Sequence, residues 1–345
     1  MRIAVMGGTG SLGIVIGGLL AKNGYDVELI ASHREGVIAL NNKGAIIKGS
    51  IETIVPVKAI TSEQMKGIYD YVFLVIKQDA NHVALPQLLP YLNENSVVCT
   101  LQNGMPEESV STYIGSERTV GGIVIFASTR LEPGISFITT SPEVIKNYAI
   151  EIGEINGQLT PRIYTIQKIL SAIGGCSVTE NLVNIRWTKL LVNATFGGMT
   201  AALGCACKNI LQNYDAMDIV AHIADETIKT AHACGYRLGP YHGEDLEFLE
   251  LQQNDQVADK MEFYQSFFSP YANTKLSMLQ DLEKGKKTEI KYINGYVCEM
   301  GKKKNIPTPY NDFVVNLINK AEEEGKVPKF ETNLELLRHR FKCIG

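Results

Sequence analysis

The sequence predicts an α/β chain, with a doubly wound, Rossmann-type N-terminal domain followed by an all-helical C-terminal domain. Three observations carry that prediction. The first half alternates short Val-, Ile- and Leu-rich runs with helical stretches, as βαβ units around a parallel sheet buried on both faces require. A glycine turn, "GGTGSLG" at residues 7–13, joins the first apolar run to the first helix. From about residue 181 onward the apolar spacing turns helical throughout.

The expected strands are Ile3–Met6, Val27–Ile30, Val72–Ile76, Val97–Leu101 and Gly122–Phe126, each bounded by Gly, Asn or charged residues. Helices fit over Leu12–Asn23 and, despite Pro86, over Asn81–Leu89. Residues 44–60 read as an inserted hairpin, and a last strand is placed around Cys176–Thr179. The helical half is expected at Ile185–Ala202, Met217–Cys234, Asp245–Phe268, Leu276–Lys284, Glu289–Lys303 and Asn311–Glu324. Gly235 and Gly285 stand where C-terminal caps belong, and Pro307 and Pro309 separate the last two helices. The domains are accordingly placed at 1–180 and 181–325, with 326–345 as a C-terminal extension.

Composition narrows the function classes. A chain of 345 residues has room for two domains, and its 45% hydrophobic and 20% charged content is that of a globular protein. A formal charge of −4 argues against a general nucleic-acid or anionic-membrane binder. No apolar run approaches 18 residues and no signal peptide is visible, so the expectation is a cytoplasmic protein with no membrane partner. The seven cysteines fit reduced thiols. Cys205 and Cys207 form a C-x-C pair that nothing completes into a zinc site, so no metal is expected. Pattern alone does not fix the oligomeric state and leaves a homodimer open.

The glycine turn points to a dinucleotide. Gly8, Gly10 and Gly13 form G-x-G-x-x-G, or G-x-x-G-x-x-G counted from Gly7, between a strand and a helix. Such a turn brings the backbone of Gly8, Thr9, Gly10, Ser11, Leu12 and Gly13 against a pyrophosphate at the positive end of the helix. At the end of the second strand an NAD site would place Asp or Glu. Here stand Ser32, His33 and Arg34, a hydroxyl, an imidazole and a guanidinium suited to a 2′-phosphate, and NADP(H) is the cofactor expected. The plain alternative is a polar loop whose charges face water.

Chemistry-bearing residues follow in the second half. In "RWTKLLVNATFGG", residues 186–198, Lys189 and Asn193 lie four apart, so a helix stacks them on one face of an otherwise apolar segment. Lys189 at a solvent edge, with its stem packed, is the bland reading. Glu289 opens an expected helix and Ser277 another, where dipole complementarity and N-capping would each explain them. Asn103 follows a strand, at the carboxyl edge where such sheets bind ligands, though Asn-Gly is also a turn signal.

Together these blocks resemble the ketopantoate reductase family over nearly the whole chain. The resemblance rests on the N-terminal glycine turn, "VIK" ending at Lys77, "QNGMPEE", "GGIVIFASTRLEPG", "RWTKLLVNATFGGMTAALG" and "SMLQDLEKGKKTEIKYINGYVCEMGKKKNIPTP". It implies NADPH-dependent reduction of a small-molecule 2-oxoacid, most simply 2-dehydropantoate to (R)-pantoate in pantothenate and coenzyme A biosynthesis. It further implies two domains with the active site between them. Lys189 would protonate the ketone oxygen, Asn193, Ser277 and Glu289 would orient the substrate or that lysine, Lys77 would lie along the cofactor, and Asn103 would serve the cofactor or join the orienting residues. Independent chemistry agrees, since reduction of a ketone develops an alkoxide that needs a proton donor, and partial withdrawal from water makes an ammonium a better acid.

Two departures bear on the substrate. Gly197 stands where the family carries a second asparagine, and the glycine turn is one residue longer than its usual form. With Ser32, His33 and Arg34, that turn also resembles the deazaflavin-dependent NADP oxidoreductases, which share the NADP preference. The competing readings are a paralogue reducing a different keto acid or an imine, and a non-catalytic NADP(H)-binding sensor.

Overall fold

The computed structural model describes residues 1–241, 243–252 and 257–342. The chain divides into two compact units, Met1–Leu182 and Val183 onward.

The first unit holds two sheets. Its strands are β1 (Arg2–Met6), β2 (Asp26–Ala31), β3 (Ala45–Gly49), β4 (Thr53–Val55), β5 (Lys58–Thr61), β6 (Tyr71–Leu74), β7 (Val97–Thr100), β8 (Thr119–Val124), β9 (Ser128–Glu132), β10 (Ile135–Ile138), β11 (Ile150–Glu154) and β12 (Cys176–Val178). Between them run α1 (Ser11–Lys22), α2 (Arg34–Lys43), α3 (Asn81–Leu88), α4 (Glu107–Ile114), α5 (Pro142–Tyr148) and α6 (Pro161–Leu170). The main sheet has the order β12-β11-β8-β7-β6-β1-β2-β5. It is parallel except where β11 runs antiparallel to β8. β1 lies at the point where the winding reverses, with β2 on one side and β6 on the other. Its residues Ile3, Ala4 and Val5 are wholly buried, Ile3 and Val5 in one apolar core and Ala4 in the other, as a strand covered on both faces requires.

A small sheet of order β4-β3-β10-β9 packs against α1. The expected hairpin at 44–60 is therefore only partly right. β3 and β4 do pair antiparallel, but Lys58–Thr61 leaves them to join the main sheet beside β2. Strands β9, β10 and β11 and helices α2, α4, α5 and α6 had no counterpart in the sequence reading.

The second unit is helical, and the boundary between the units falls in the first turn of α7 (Leu182–Val192). Next come a π-helical turn (Asn193–Gly197), α8 (Gly198–Leu203), α9 (Cys207–Leu211) and the twenty-residue α10 (Tyr214–Ala233). The rest are α11 (Val257–Phe268), α12 (Ser277–Glu283), α13 (Asn294–Lys304), α14 (Pro309–Glu324) and α15 (Phe330–Lys342). Gly235 and Gly285 both adopt positive φ just past helix ends, as a C-terminal cap demands.

Two expected helices are corrected. Asp245–Phe268 is not one helix: a short 3-10 turn, Glu247–Leu249, comes first, residues 253–256 lie outside the described residues, and α11 is described over Val257–Phe268. Glu247 is drawn off the helical path because its carboxylate accepts from the Leu238 N–H and pairs with His232 of α10. Glu289–Lys303 is broken as well, into a 3-10 turn at Ile290–Tyr292 and then α13, with Ile293 at φ −110, ψ −99 between them. There Thr288 gives both its N–H and its hydroxyl to Glu322, 2.7 Å each, and fixes the chain before the helix begins. The stretch from residue 326 supplies α15, which buries Leu334 and Leu337, donates from Asn333 to the Ala202 carbonyl and stacks Phe341 on Tyr310 at 3.8 Å.

Candidate functional site

In the first unit the cofactor candidates gather at the carboxyl edge of the sheet. β1 ends at Met6 and the chain turns through Gly7, whose φ of +96 excludes most side chains. Gly7 and Gly8 both donate their N–H to the Ile30 carbonyl at 2.9 Å, fixing the turn to the end of β2. The turn leaves no room for side chains. A Cβ on Gly8 would lie 2.5 Å from that of Leu29, and one on Gly13 would overlap the Gly7 carbonyl oxygen. Gly10 precedes α1 without any side-chain cap, and Ser11, Leu12 and Gly13 form its first turn, with no acidic residue there. Their N–H groups are the orphan donors that an anion satisfies, so this cradle fits a dinucleotide diphosphate. Thr9 is buried against the start of α2, where its methyl fills the space a Gly36 side chain would need.

Ser32, His33 and Arg34 follow β2 directly and are all exposed, with Arg34 opening α2. The Arg34 guanidinium lies 3.8 Å from Glu63, an exposed ion pair of little energetic weight, so a stronger anion can displace it. Lys77 follows β6, and Asn103 follows β7 and precedes Gly104 at φ +76. These two ends are tied by residues the sequence reading missed. Gln78 donates to the Asn103 carbonyl at 2.6 Å, and buried Gln102 donates to the Ile76 carbonyl at 2.9 Å and to Asn81 at 2.7 Å. A glutamine at the junction between an apolar strand and its loop is the only signal that could have found them. A further missed group is Arg130 of β9, whose Nη1 donates to the Thr9 carbonyl at 3.4 Å.

The second unit carries the candidate acid. Lys189 sits in the last turn of α7, half-buried, and its Nζ donates to the hydroxyl of buried Tyr241 at 3.2 Å. Asn193, one turn on, is half-buried on the same face and opens the π turn. Tyr241 was missed, since "RLGPYHGED" reads only as a turn-rich loop.

The π turn has a visible cause. At its end the backbone N–H groups bond to the carbonyls of Asn193 and Thr195, which bracket Ala194. The Ala194 carbonyl accepts instead from Asn294 Nδ2 at 3.0 Å. That amide nitrogen also donates to Asn311 at 2.9 Å, and Asn311 Nδ2 donates to Glu226 at 2.7 Å. Glu226 further accepts the N–H groups of Tyr310 and Asn311 at the start of α14. Burial pushes its pKa up to about 7 against those hydrogen bonds. A Cβ on Gly198 would sit 2.8 Å from Asn294 Oδ1, whereas one on Gly197 would meet nothing closer than Met278 Cε at 3.6 Å. Gly197 is a fillable gap beside Asn193, whose Cβ is 4.0 Å from that position.

Ser277 is exposed in the first turn of α12 but does not cap it, because Leu276 occupies the cap position. Its neighbour Met278 is the residue that reaches Gly197. Glu289 is buried and precedes a 3-10 turn, so it lies outside the first turn of α13 and helix-dipole complementarity does not account for it. Burial pushes the Cys205 and Cys207 thiols up to about 12, which keeps both protonated at neutral pH. Among the described residues one potential metal-ligand cluster occurs, His232 with Glu247 and Glu250, and Arg237 already stands 3.1 Å from its imidazole.

Comparison with known proteins assigns both units to one family. Residues 3–156 match the family described as Ketopantoate reductase PanE/ApbA, and residues 181–322 its C-terminal counterpart. The chain is 28% identical over 336 residues to a 2-dehydropantoate 2-reductase of Pyrococcus horikoshii, covering 94% of this chain and 99% of that one. A second such protein, from Pyrococcus abyssi, is 29% identical over 94% of this chain and the whole of the other. Among solved structures, a 2-dehydropantoate 2-reductase of Geobacter metallireducens superposes with a TM-score of 0.77 at 28% identity, over 93% of this chain and all of that one. A D-mandelate dehydrogenase solved with NADH and anilino(oxo)acetate superposes at 0.78 and 23% identity, covering 94% and 99%, and so speaks for the fold alone.

Proposed function

Because the chain belongs to the ketopantoate reductase family, we propose that it reduces a 2-oxoacid with NADPH, with 2-dehydropantoate to (R)-pantoate as the leading reaction. A bound dinucleotide would supply the hydride for the keto carbon. Lys189 delivers a proton to the ketone oxygen as its charge develops, and its ammonium stabilises that charge. The single observation that supports this most is a half-buried ammonium presented beside Asn193 on one helix face and held by Tyr241 at 3.2 Å. Tyr241 limits the rotamers of Lys189, while Asn193 offers an amide to the substrate. Buried Glu289 and exposed Ser277 are assigned to orienting substrate or lysine, on the family pattern alone.

Ser32, His33 and Arg34 favour NADPH over NADH, because three exposed groups that can donate hydrogen bonds follow β2 where an acidic residue would serve NAD. Lys77, Asn103 and the backbone from Gly8 to Gly13 complete the cofactor set.

A second reading, reduction of a bulkier 2-oxoacid, is favoured by the gap at Gly197. The test is NADPH and NADH oxidation with 2-dehydropantoate and a panel of 2-oxoacids and imines. Turnover with 2-dehydropantoate supports the first reading, turnover confined to other substrates the second, and cofactor binding with no turnover leaves only a sensor. Lys189→Ala is expected to lower turnover by about 10²–10⁴-fold. Near-normal activity in that variant removes the mechanism.

A further inference from the structure

The small sheet of the first unit brings a cation to the glycine turn. In the β9–β10 ladder Arg130 pairs with Ser136, and Ser128 with Ile138, so these four side chains share one face. That face meets the start of α1, because Ser11 Oγ lies 2.7 Å from the hydroxyls of both Ser128 and Ser136. Thr129 and Phe137 point to the other face, where Phe137 is exposed. Arg130 is therefore held over the turn by the register of the ladder, not by chance of a loose rotamer.

Its surroundings leave it short of an anion. A guanidinium has five N–H donors, and the contact to the Thr9 carbonyl, at 3.4 Å, uses one. Among the described residues no carboxylate pairs with Arg130. The start of α1 beside it is also positive, through the helix dipole and unbonded N–H groups, and no acidic residue stands in that first turn. Two positive features at one place repel until an anion binds between them.

We infer that Arg130 binds the diphosphate of the dinucleotide, an inference that rests on the cofactor reading above. Its role differs from that of Arg34, which opens α2 beyond β2 and serves the ribose end. Arg130 recognises what NADPH and NADH share, and Arg34 what separates them. The planar fork of the guanidinium suits two phosphate oxygens at once.

Calorimetric titration of NADPH, NADH and adenosine 2′-monophosphate tests this with no turnover involved. Arg130→Gln retains a donor for the Thr9 carbonyl and removes the charge, while Arg130→Lys retains the charge without the fork. Arg130→Gln is expected to weaken NADPH and NADH alike, by about 10- to 100-fold, and to leave the monophosphate, which has no diphosphate, unchanged. Arg130→Lys is expected to fall between, and Arg34→Ala to weaken NADPH and the monophosphate while sparing NADH. Unchanged affinity for both dinucleotides in Arg130→Gln overturns the inference. So does loss of NADPH and monophosphate with NADH spared, which would put the guanidinium on the 2′-phosphate. Loss of all three ligands overturns it too, since that marks a collapsed turn. Wild-type protein that binds neither dinucleotide defeats the cofactor reading itself, and this inference with it, before any variant is made.

Discussion

Glu226→Gln should change how stability depends on pH, and the direction follows from the buried carboxylate of α10. Glu226 loses its water on folding, which raises its pKa from the ordinary 4.5 to about 7 even though Tyr310 and Asn311 donate to it. The folded protein therefore holds this proton more tightly than the unfolded chain. Folding takes up a proton between those two values, so the stability linked to this carboxyl is complete below about pH 4.5 and is lost as pH rises through about 7. At roughly 1.4 kcal/mol per tenfold, the loss between pH 5 and pH 8 comes to about 2.5 kcal/mol. Glutamine cannot titrate, but its NH₂ must face either the Tyr310 N–H or the Asn311 donors, a fixed cost of about 1–2 kcal/mol. Urea unfolding of both proteins across that range is the measurement. Glu226→Gln is expected to be the less stable at pH 5, with the gap shrinking by about 2.5 kcal/mol by pH 8. Parallel curves would show that the carboxyl is already ionised at pH 5, and the burial argument would fail.

The paired glycines of the distorted helix should respond oppositely. Gly197→Ala, at φ −61 and ψ −48 with the new methyl in ordinary contact with Met278 Cε at 3.6 Å, should raise stability by up to about 1 kcal/mol in thermal unfolding. Gly198→Ala meets Asn294 Oδ1 at 2.8 Å and should lower it. Gly13→Ala forces the Gly7 carbonyl to move, and dinucleotide binding measured by cofactor fluorescence should be lost while the helical unit keeps its packing. Tyr241→Phe removes the acceptor 3.2 Å from Lys189 and should lower kcat more than it raises KM for the 2-oxoacid.

The legible parts of the fold are those in which one segment carries its own signal. β1, β2, β6 and β7 are buried on both faces, so their apolar runs announce them, and the glycine turn is confined to seven consecutive residues. β9 gives no such signal, since "STRLE" is half-exposed and becomes a strand only by pairing with β10. Arg130 was invisible for that reason, because its place over Thr9 follows from a ladder and not from a motif. The break before Asn294 is equally non-local. "TEIKYINGY" has helical spacing, and it is Glu322, more than thirty residues later, that pins Thr288 and delays the helix. Lys189 and Asn193 could be placed on one face because Lys189 precedes the distortion and Asn193 only opens it. Nothing in "NATFGG" separates an i→i+5 turn from an ordinary one.

What sustains that turn is a chain of amides whose polarity has only one consistent setting. A helix carbonyl can only accept, so Asn294 must present its NH₂ to Ala194. The same NH₂ also serves Asn311 Oδ1, which obliges Asn311 to turn its own NH₂ outward to Glu226. A carboxylate, which only accepts, is the group that closes such a chain without conflict. The setting leaves Asn294 Oδ1 buried without a hydrogen-bond partner, at a cost of about 1–3 kcal/mol. Flipping that amide would be worse, because its oxygen would then face two acceptors and both hydrogen bonds would be lost. The orphaned oxygen of Asn294 and the donors that Asn311 aims at Glu226 are thus two consequences of one requirement, a π turn just beyond Lys189 held from outside its own helix. A variant that relaxes the turn to regular helix should free Asn294 and rotate Gly197 toward the Lys189 face, while Glu226, still buried and held less firmly by Asn311, should keep its raised pKa.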